Sequence, residues 1–115
     1  MKILLIDDES FILNLLAEVA EMNGHQTVTA GNGADAVKVF RENPDIKTVF
    51  CDFTLPDTDG LTVIAQIKAI RPSSTVYLLT GWGVSYFEDK DTSLVAEIIT
   101  KPFDIQHIIT LLSNG

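Results

Sequence analysis

The sequence predicts an α/β fold: one five-stranded parallel sheet, doubly wound, with helices on both faces. Three observations point there. Short β-rich runs alternate with helical runs five times along the 115 residues. The first of the strand runs is continuously apolar, as a strand covered on both faces must be. The length suits one domain, 1–115, large enough to bury a core without disulfide or metal staples. Strands joined by helical crossovers are parallel, and the crossovers are right-handed.

Ile3-Leu4-Leu5-Ile6 is the first strand. Residues 10–22 follow as a helix, with Ile12, Leu16 and Val19 at helical spacing and Asn23-Gly24 as its stop. Gln26–Ala30 is the second strand. Residues 34–42 form the second helix, with Val37 and Phe40 inward and Asn43-Pro44 ending it. Lys47–Cys51 is the third strand. Leu61, Ile64 and Ile67 mark the third helix, which ends near Arg71-Pro72. Thr75–Leu79 is the fourth strand. Residues 83–95 should hold the fourth helix, but their apolar spacing is poor, so it is expected to be short or irregular. Glu97–Thr100 is the fifth strand. Asp104 caps a last helix that carries Ile105, Ile108 and Leu112 on one face. At this length the expected strand order is 2-1-3-4-5, the flavodoxin-like arrangement, with about five helices. Ligands of such sheets sit beyond the carboxyl ends of the strands, where strand order reverses, here between strands one and three.

Composition excludes several functions. The net charge is −8, the wrong sign for a nucleic-acid surface or an anionic membrane. Cys51 is the only cysteine, which rules out an internal disulfide and a Cys-based zinc site and fits a reducing compartment. The apolar run in MKILLIDDES is too short for a signal-peptide core or a membrane span. A cytoplasmic location is expected. No repeat, linker or low-complexity tract interrupts the chain.

The polar residues fall at strand ends. Asp7 and Asp8 end strand one, Asp52 ends strand three, Thr80 ends strand four and Lys101 ends strand five. Three carboxylates within a few ångströms repel unless a proton or cation relieves them. Hard oxygen donors without a Cys or His pair favour Mg²⁺, which takes one or two carboxylates plus a phosphate. A carboxylate is also a competent phosphoryl acceptor, giving an acyl phosphate. Lys101 can hold a phosphoryl oxygen as a compact charge, and Thr80 can donate a hydrogen bond to it. Each residue has a plainer reading: a helix-capping Asp pair, a loop acid, a Thr-Gly turn, a Lys-Pro bend. Together those readings require four coincidences at four strand ends.

The residues resemble the receiver domain of two-component response regulators. The likeness rests on Ile-Asp-Asp-Glu at 6–9, Asp52 followed by Pro56 and Asp59-Gly60, Leu79-Thr80-Gly81, and Thr100-Lys101-Pro102-Phe103. It spans essentially the whole chain. The resemblance implies that Asp52 takes a phosphoryl group from a phosphohistidine on a sensor histidine kinase or histidine phosphotransfer protein. It implies Mg²⁺ held by Asp8, Asp52 and the backbone carbonyl of Thr54, with Asp7 acting through water. Lys101 then contacts the phosphoryl group, its bond to Pro102 is cis, and Thr80 moves to report the event. Glu9 is expected at the helix start rather than as a ligand.

Two departures stand out. Ile98 occupies the position of the usual aromatic toggle, and Thr92-Ser93-Leu94-Val95-Ala96 replaces the usual small-residue segment before strand five. Trp82 either lies over the pocket mouth, limiting water there alongside Thr54, or is a partly exposed loop aromatic. Phe11 and Leu13 fall outside the inward stripe of the first helix; they form a docking surface for the kinase's histidine-bearing helix or pack as ordinary apolar residues. Gly31-Asn32-Gly33-Ala34-Asp35-Ala36 mimics a dinucleotide fingerprint but follows the second strand, so it is expected to be a tight turn and helix start. Cys51 is expected to be a small buried hydrophobe. His25 and His107 are isolated and suggest no metal role. The rival functions are a small aspartyl-phosphate phosphatase of the haloacid-dehalogenase type and a phosphorylation-independent interaction module. The phosphatase family requires a second Asp where this chain has Thr54.

Overall fold

Five strands, β1 (Lys2–Ile6), β2 (Gln26–Ala30), β3 (Ile46–Asp52), β4 (Thr75–Thr80) and β5 (Glu97–Thr100), make one sheet in the order β2-β1-β3-β4-β5. Every neighbouring pair is parallel. The structure is a computed structural model and describes residues 1–114. Three α-helices connect strands, α1 (Ser10–Met22), α2 (Gly33–Glu42) and α3 (Gly60–Ile70), and α4 (Ile105–Asn114) follows β5.

Strand alternation divides the core into two layers. Leu4 and Ile6 of β1, Val49 and Cys51 of β3, and Val76 and Leu78 of β4 face α2 and α3, where Phe40, Ile64 and Ile67 meet them. Ile3, Leu5, Phe50, Tyr77 and Leu79 face the other way, onto Leu16 and Val19 of α1 and Ile108 and Leu112 of α4. Phe50 and Tyr77 stack at 4.8 Å within that second layer. Each fully buried Leu, Ile or Phe contributes about 1.5–3 kcal/mol by leaving water. The central strands therefore form a rigid platform, and their carboxyl ends are fixed in space.

Helix starts follow capping chemistry. The Asn32 side chain accepts from Asp35 N at 2.8 Å to open α2, and Asp59 accepts from Thr62 N at 2.8 Å to open α3. The Asp104 side chain accepts from Gln106 N at the start of α4. Gly24, with φ +84°, ends α1 in the left-handed region that glycine tolerates. The glycine-rich run at 31–36 is the turn and helix start that was expected. The Asp57 carboxylate accepts from Gly33 N at 2.8 Å and Ala34 N at 3.0 Å, filling the helix terminus a pyrophosphate would need. A Cβ at Gly33 would also lie 2.5 Å from Thr58 Cγ2.

The fourth crossover departs from expectation. Residues 83–95 carry only a 3-10 turn, Val84–Phe87, so the described residues hold four α-helices rather than five. The reason is the poor apolar pattern: only Phe87 of this turn is buried, while Val84 and Tyr86 stay exposed. The rest is closed locally, with Asp91 accepting from both Ser93 N and Ser93 Oγ. Strands β3 and β4 run one residue further than expected, so Asp52 and Thr80 are the last residues of their strands. Among the described residues no helix is long and apolar enough to cross a membrane.

Gly60 is a close-approach site, because an added Cβ would collide with the Asp52 carbonyl oxygen and lie 2.9 Å from Phe53 Cα. Both obstacles are backbone. Gly60→Ala is expected to destabilise the fold by about 1–3 kcal/mol, read as a lower urea midpoint at unchanged slope.

Candidate functional site

Strands β1 and β3 are neighbours with Ile6 opposite Cys51, so the residues after them, Asp7 and Asp52, emerge side by side. This is the point where strand order reverses. Asp7 N donates to Ala30 O at 3.1 Å, holding the first acid against β2. On the other side, Lys101 N donates to Thr80 O at 2.7 Å, which fixes the lysine at the end of β5.

The side chains meet in one cluster. Lys101 Nζ lies 2.9 Å from Asp7 Oδ2, 3.2 Å from Asp52 Oδ1 and 3.6 Å from Glu9 Oε1. Asp7 is fully buried, and its other oxygen accepts from Glu9 N at 2.9 Å. Asp7, Asp8, Glu9 and Asp52 each offer an oxygen within 4.8 Å of one another. A depression of about 300 Å³ opens beside them, lined by Glu9, Asp52, Thr54, Gly81, Trp82 and Lys101.

Opposing influences act on the acceptor candidate. Burial, reinforced by the neighbouring Asp7 charge, pushes the Asp52 carboxyl up to about 6, against the pull of Lys101. Burial draws the Lys101 ammonium down, but Asp7 and Asp52 more than offset it, and its net shift is upward. Four carboxylates thus face one ammonium. The donors are all oxygens and the charge excess is negative, which fits a hard divalent cation such as Mg²⁺.

A family model for the response regulator receiver domain matches residues 3–113. The chain belongs to this family. Chemotaxis protein CheY of Bacillus subtilis is 30% identical over 116 residues, covering 98% of this chain and 95% of that protein. Sporulation initiation phosphotransferase F of the same organism is 34% identical over 110 residues, covering 93% of this chain and 86% of that protein. A receiver domain protein from Clostridium thermocellum is 31% identical with a TM-score of 0.88, over 98% of this chain and 91% of that one.

In this receiver, Asp7, Asp8, Asp52 and Lys101 come together as expected, and Thr54 lines the same depression. The Lys101-Pro102 bond is cis. Thr80 is buried at the neighbouring strand end, but it does not line the depression; its Oγ1 accepts from Trp82 N at 2.9 Å. Trp82 is 52% exposed and lies at the pocket mouth. Glu9 stands at the helix start and at the acidic rim, as expected. It occupies the N-cap position of α1 but its side chain makes no capping bond, and its carboxylate turns into the acidic cluster instead. Phe11 is 75% exposed, whereas Leu13 is half-buried and packs on the α1–α4 layer, so only Phe11 remains available for docking. Ile98 is half-buried opposite Leu78 and packs on the α2–α3 layer. Cys51 is a buried hydrophobe, its thiol pushed up by burial. His107 pairs with Glu97, and His25 faces the N-terminal amine.

Folding raises the Asp52 carboxyl above its unfolded value of about 3.9, so ionising it opposes folding. In chelator, the protein is expected to gain stability as pH falls through about 6. Asp52→Asn should stabilise the fold by roughly 1–3 kcal/mol at about pH 7.5, with the advantage vanishing near about pH 4. Urea midpoints of both proteins across that range check it; a gap independent of pH would contradict the electrostatic origin.

Proposed function

We propose that this receiver is a phosphoryl-accepting switch, with Asp52 as acceptor and a phosphohistidine of a sensor histidine kinase or histidine phosphotransfer protein as donor. The observation that carries this reading is the Asp52 carboxylate held 3.2 Å from the Lys101 ammonium inside an acidic cluster at the switch point of the sheet.

At neutral pH Asp52 is mostly ionised. One of its oxygens attacks phosphorus, the P–N bond of the phosphohistidine breaks, and the imidazole leaves with the bonding pair and takes a proton from solvent. The product is an acyl phosphate. Asp7, Asp8, Asp52 and the Thr54 carbonyl would hold Mg²⁺, which supplies charge neutralisation between carboxylate and phosphoryl group. Lys101 turns from the carboxylates toward a phosphoryl oxygen. Thr80 donates its hydroxyl proton to another and, in moving, pulls on the Trp82 amide it accepts from. With Ile98 in place of an aromatic toggle, the 81–87 loop becomes the first element beyond the pocket to register the event. A swing from 1:99 to 99:1 between two conformations requires about 5.5 kcal/mol of differential stabilisation. Hydrolysis of the acyl phosphate by water resets the switch, and Trp82 at the mouth restricts that water.

Incubation with acetyl phosphate and Mg²⁺ should add one phosphoryl mass to the wild type and none to Asp52→Asn, measured by intact mass. Phosphorylation of the Asn variant would overturn the assignment. Turnover of p-nitrophenyl phosphate beyond one equivalent would favour a phosphatase instead. Failure to bind beryllofluoride with Mg²⁺ would favour a phosphorylation-independent module.

Phe11, two residues beyond Glu9 at the start of α1, presents an apolar ring to solvent. Phe11→Ser is expected to slow transfer from a phosphorylated histidine phosphotransfer domain about tenfold while leaving the acetyl phosphate rate unchanged. Equal slowing of both donors would remove the docking role.

A further inference from the structure

A second depression, larger than the acidic pocket, opens elsewhere on the surface. It is a groove of about 720 Å³ between α3 and residues 86–95. It exists because the fourth crossover lacks an α-helix. α2 packs along one flank of α3, while the other flank faces only the 3-10 turn and the irregular chain after it. In a doubly wound sheet that place belongs to a helix.

Its lining has two parts. The floor is apolar: Phe53, Leu61, Ile64, Tyr86, Leu94 and Val95. Leu94 is 45% exposed and Tyr86 41% exposed, so the floor is incompletely covered. The rim is acidic. Asp59 and Asp91 line it from opposite sides, and Glu88 and Asp89 are exposed on the same segment. The one cation here, Lys90, has its ammonium 4.6 Å from the Tyr86 ring centroid and 3.7 Å from Asp89. Within the lining Asp59 and Asp91 outweigh Lys90 by one charge, and Glu88 and Asp89 add two more acids on the adjoining exposed segment.

We propose that this groove docks a cationic amphipathic helix from a partner protein, which completes the missing helical layer. An α-helix about 10 Å across suits the vacant helical position, and apolar side chains spaced three and four apart match the floor. Lysines or arginines on its flanks meet the acidic rim. A second copy of this chain is disfavoured, because it brings a net charge of −8 to an already acidic face. The groove also shares a wall with the phosphorylation pocket. Trp82, at the pocket mouth, stacks on Tyr86 at 5.0 Å, and Phe53, next to Asp52, meets Tyr86 and Phe87 edge-on at 5.8 and 5.0 Å. Docking does not require Asp52 to be phosphorylated, so it is tested on the unmodified protein, where failure leaves the phosphoacceptor reading untouched.

The probe is a synthetic Leu/Lys helix with one apolar face, titrated into ¹⁵N-labelled protein. Amide shifts are expected to concentrate at 61–66 and 86–95, with a change in the fluorescence of Trp82, the single tryptophan. Leu94→Gln and Asp91→Lys, both at exposed positions, should each weaken binding about tenfold, while Phe11→Ser should not. A scrambled peptide of the same composition should bind at least tenfold more weakly. The proposal fails if the scrambled peptide binds equally well, if a Glu-for-Lys peptide binds better, or if the shifts fall on α1 or the acidic pocket. It also fails if nothing binds up to about 1 mM peptide. Self-association of the wild type that Leu94→Gln abolishes would make a second copy the occupant and overturn the partner assignment.

Discussion

The Lys101 ammonium, shared between the buried Asp7 carboxylate at 2.9 Å and Asp52 at 3.2 Å, is the contact on which the site depends. The parallel sheet drives the strand-end acids together whether or not their charges tolerate it. Two like charges about 4 Å apart repel by roughly 4 kcal/mol at the effective dielectric near a protein surface. Lys101 is the one side-chain cation within reach of Asp7, Asp52 and Glu9 among the described residues. Its backbone is fixed at the end of β5 by the amide's bond to the Thr80 carbonyl, and its ammonium is held by the carboxylates it meets. The lysine and the acids are therefore parts of one construction, and an added cation or an added phosphoryl group each changes how its charge is shared.

The same backbone tie places Thr80 and Lys101 on adjacent strands, and the loop after Thr80 is the least anchored part of the sheet's upper edge. From residue 81 to 86 no side chain is buried, and Phe87 is the loop's main foothold in the core. A segment with few buried contacts opens at low free energy. What it has instead is an aromatic chain, Trp82 on Tyr86, and Tyr86 and Phe87 on Phe53. That chain runs from the acidic pocket to the groove beside α3. In a receiver with Ile98 where an aromatic toggle is usual, it offers a contiguous path of packed rings from beside Asp52 to the surface.

Much of this was legible in the sequence because period and position carried it. Continuous apolar runs identified strands buried on both faces, and the chemistry-bearing residues stood at their carboxyl ends, where a doubly wound sheet must gather them. Capping residues such as Asp104 marked helix starts. What was illegible depended on local side-chain geometry. Glu9 reads as a helix-start acid, but nothing in the sequence shows that its rotamer places it against Lys101. Thr80 was recognisable, but not the bond its hydroxyl accepts from Trp82 N. Leu13 lies off the ideal inward stripe, yet it packs, half-buried, against the α1–α4 core layer. The fourth crossover showed its weakness in its poor spacing, but not that the result would be an open groove. That outcome depends on the α3 flank it leaves bare.

For the acceptor role proposed for Asp52, the opposition between burial and Lys101 has a chemical consequence. A carboxylate whose conjugate acid is weak is the better nucleophile, but only while it is ionised. Burial and Asp7 raise the Asp52 carboxyl, and Lys101 restrains the rise, so it settles at about 6. It is thus more basic than an ordinary carboxylate, yet still predominantly charged at neutral pH. Stronger pairing with Lys101 would leave a poorer nucleophile, and loss of the pairing would leave a protonated one.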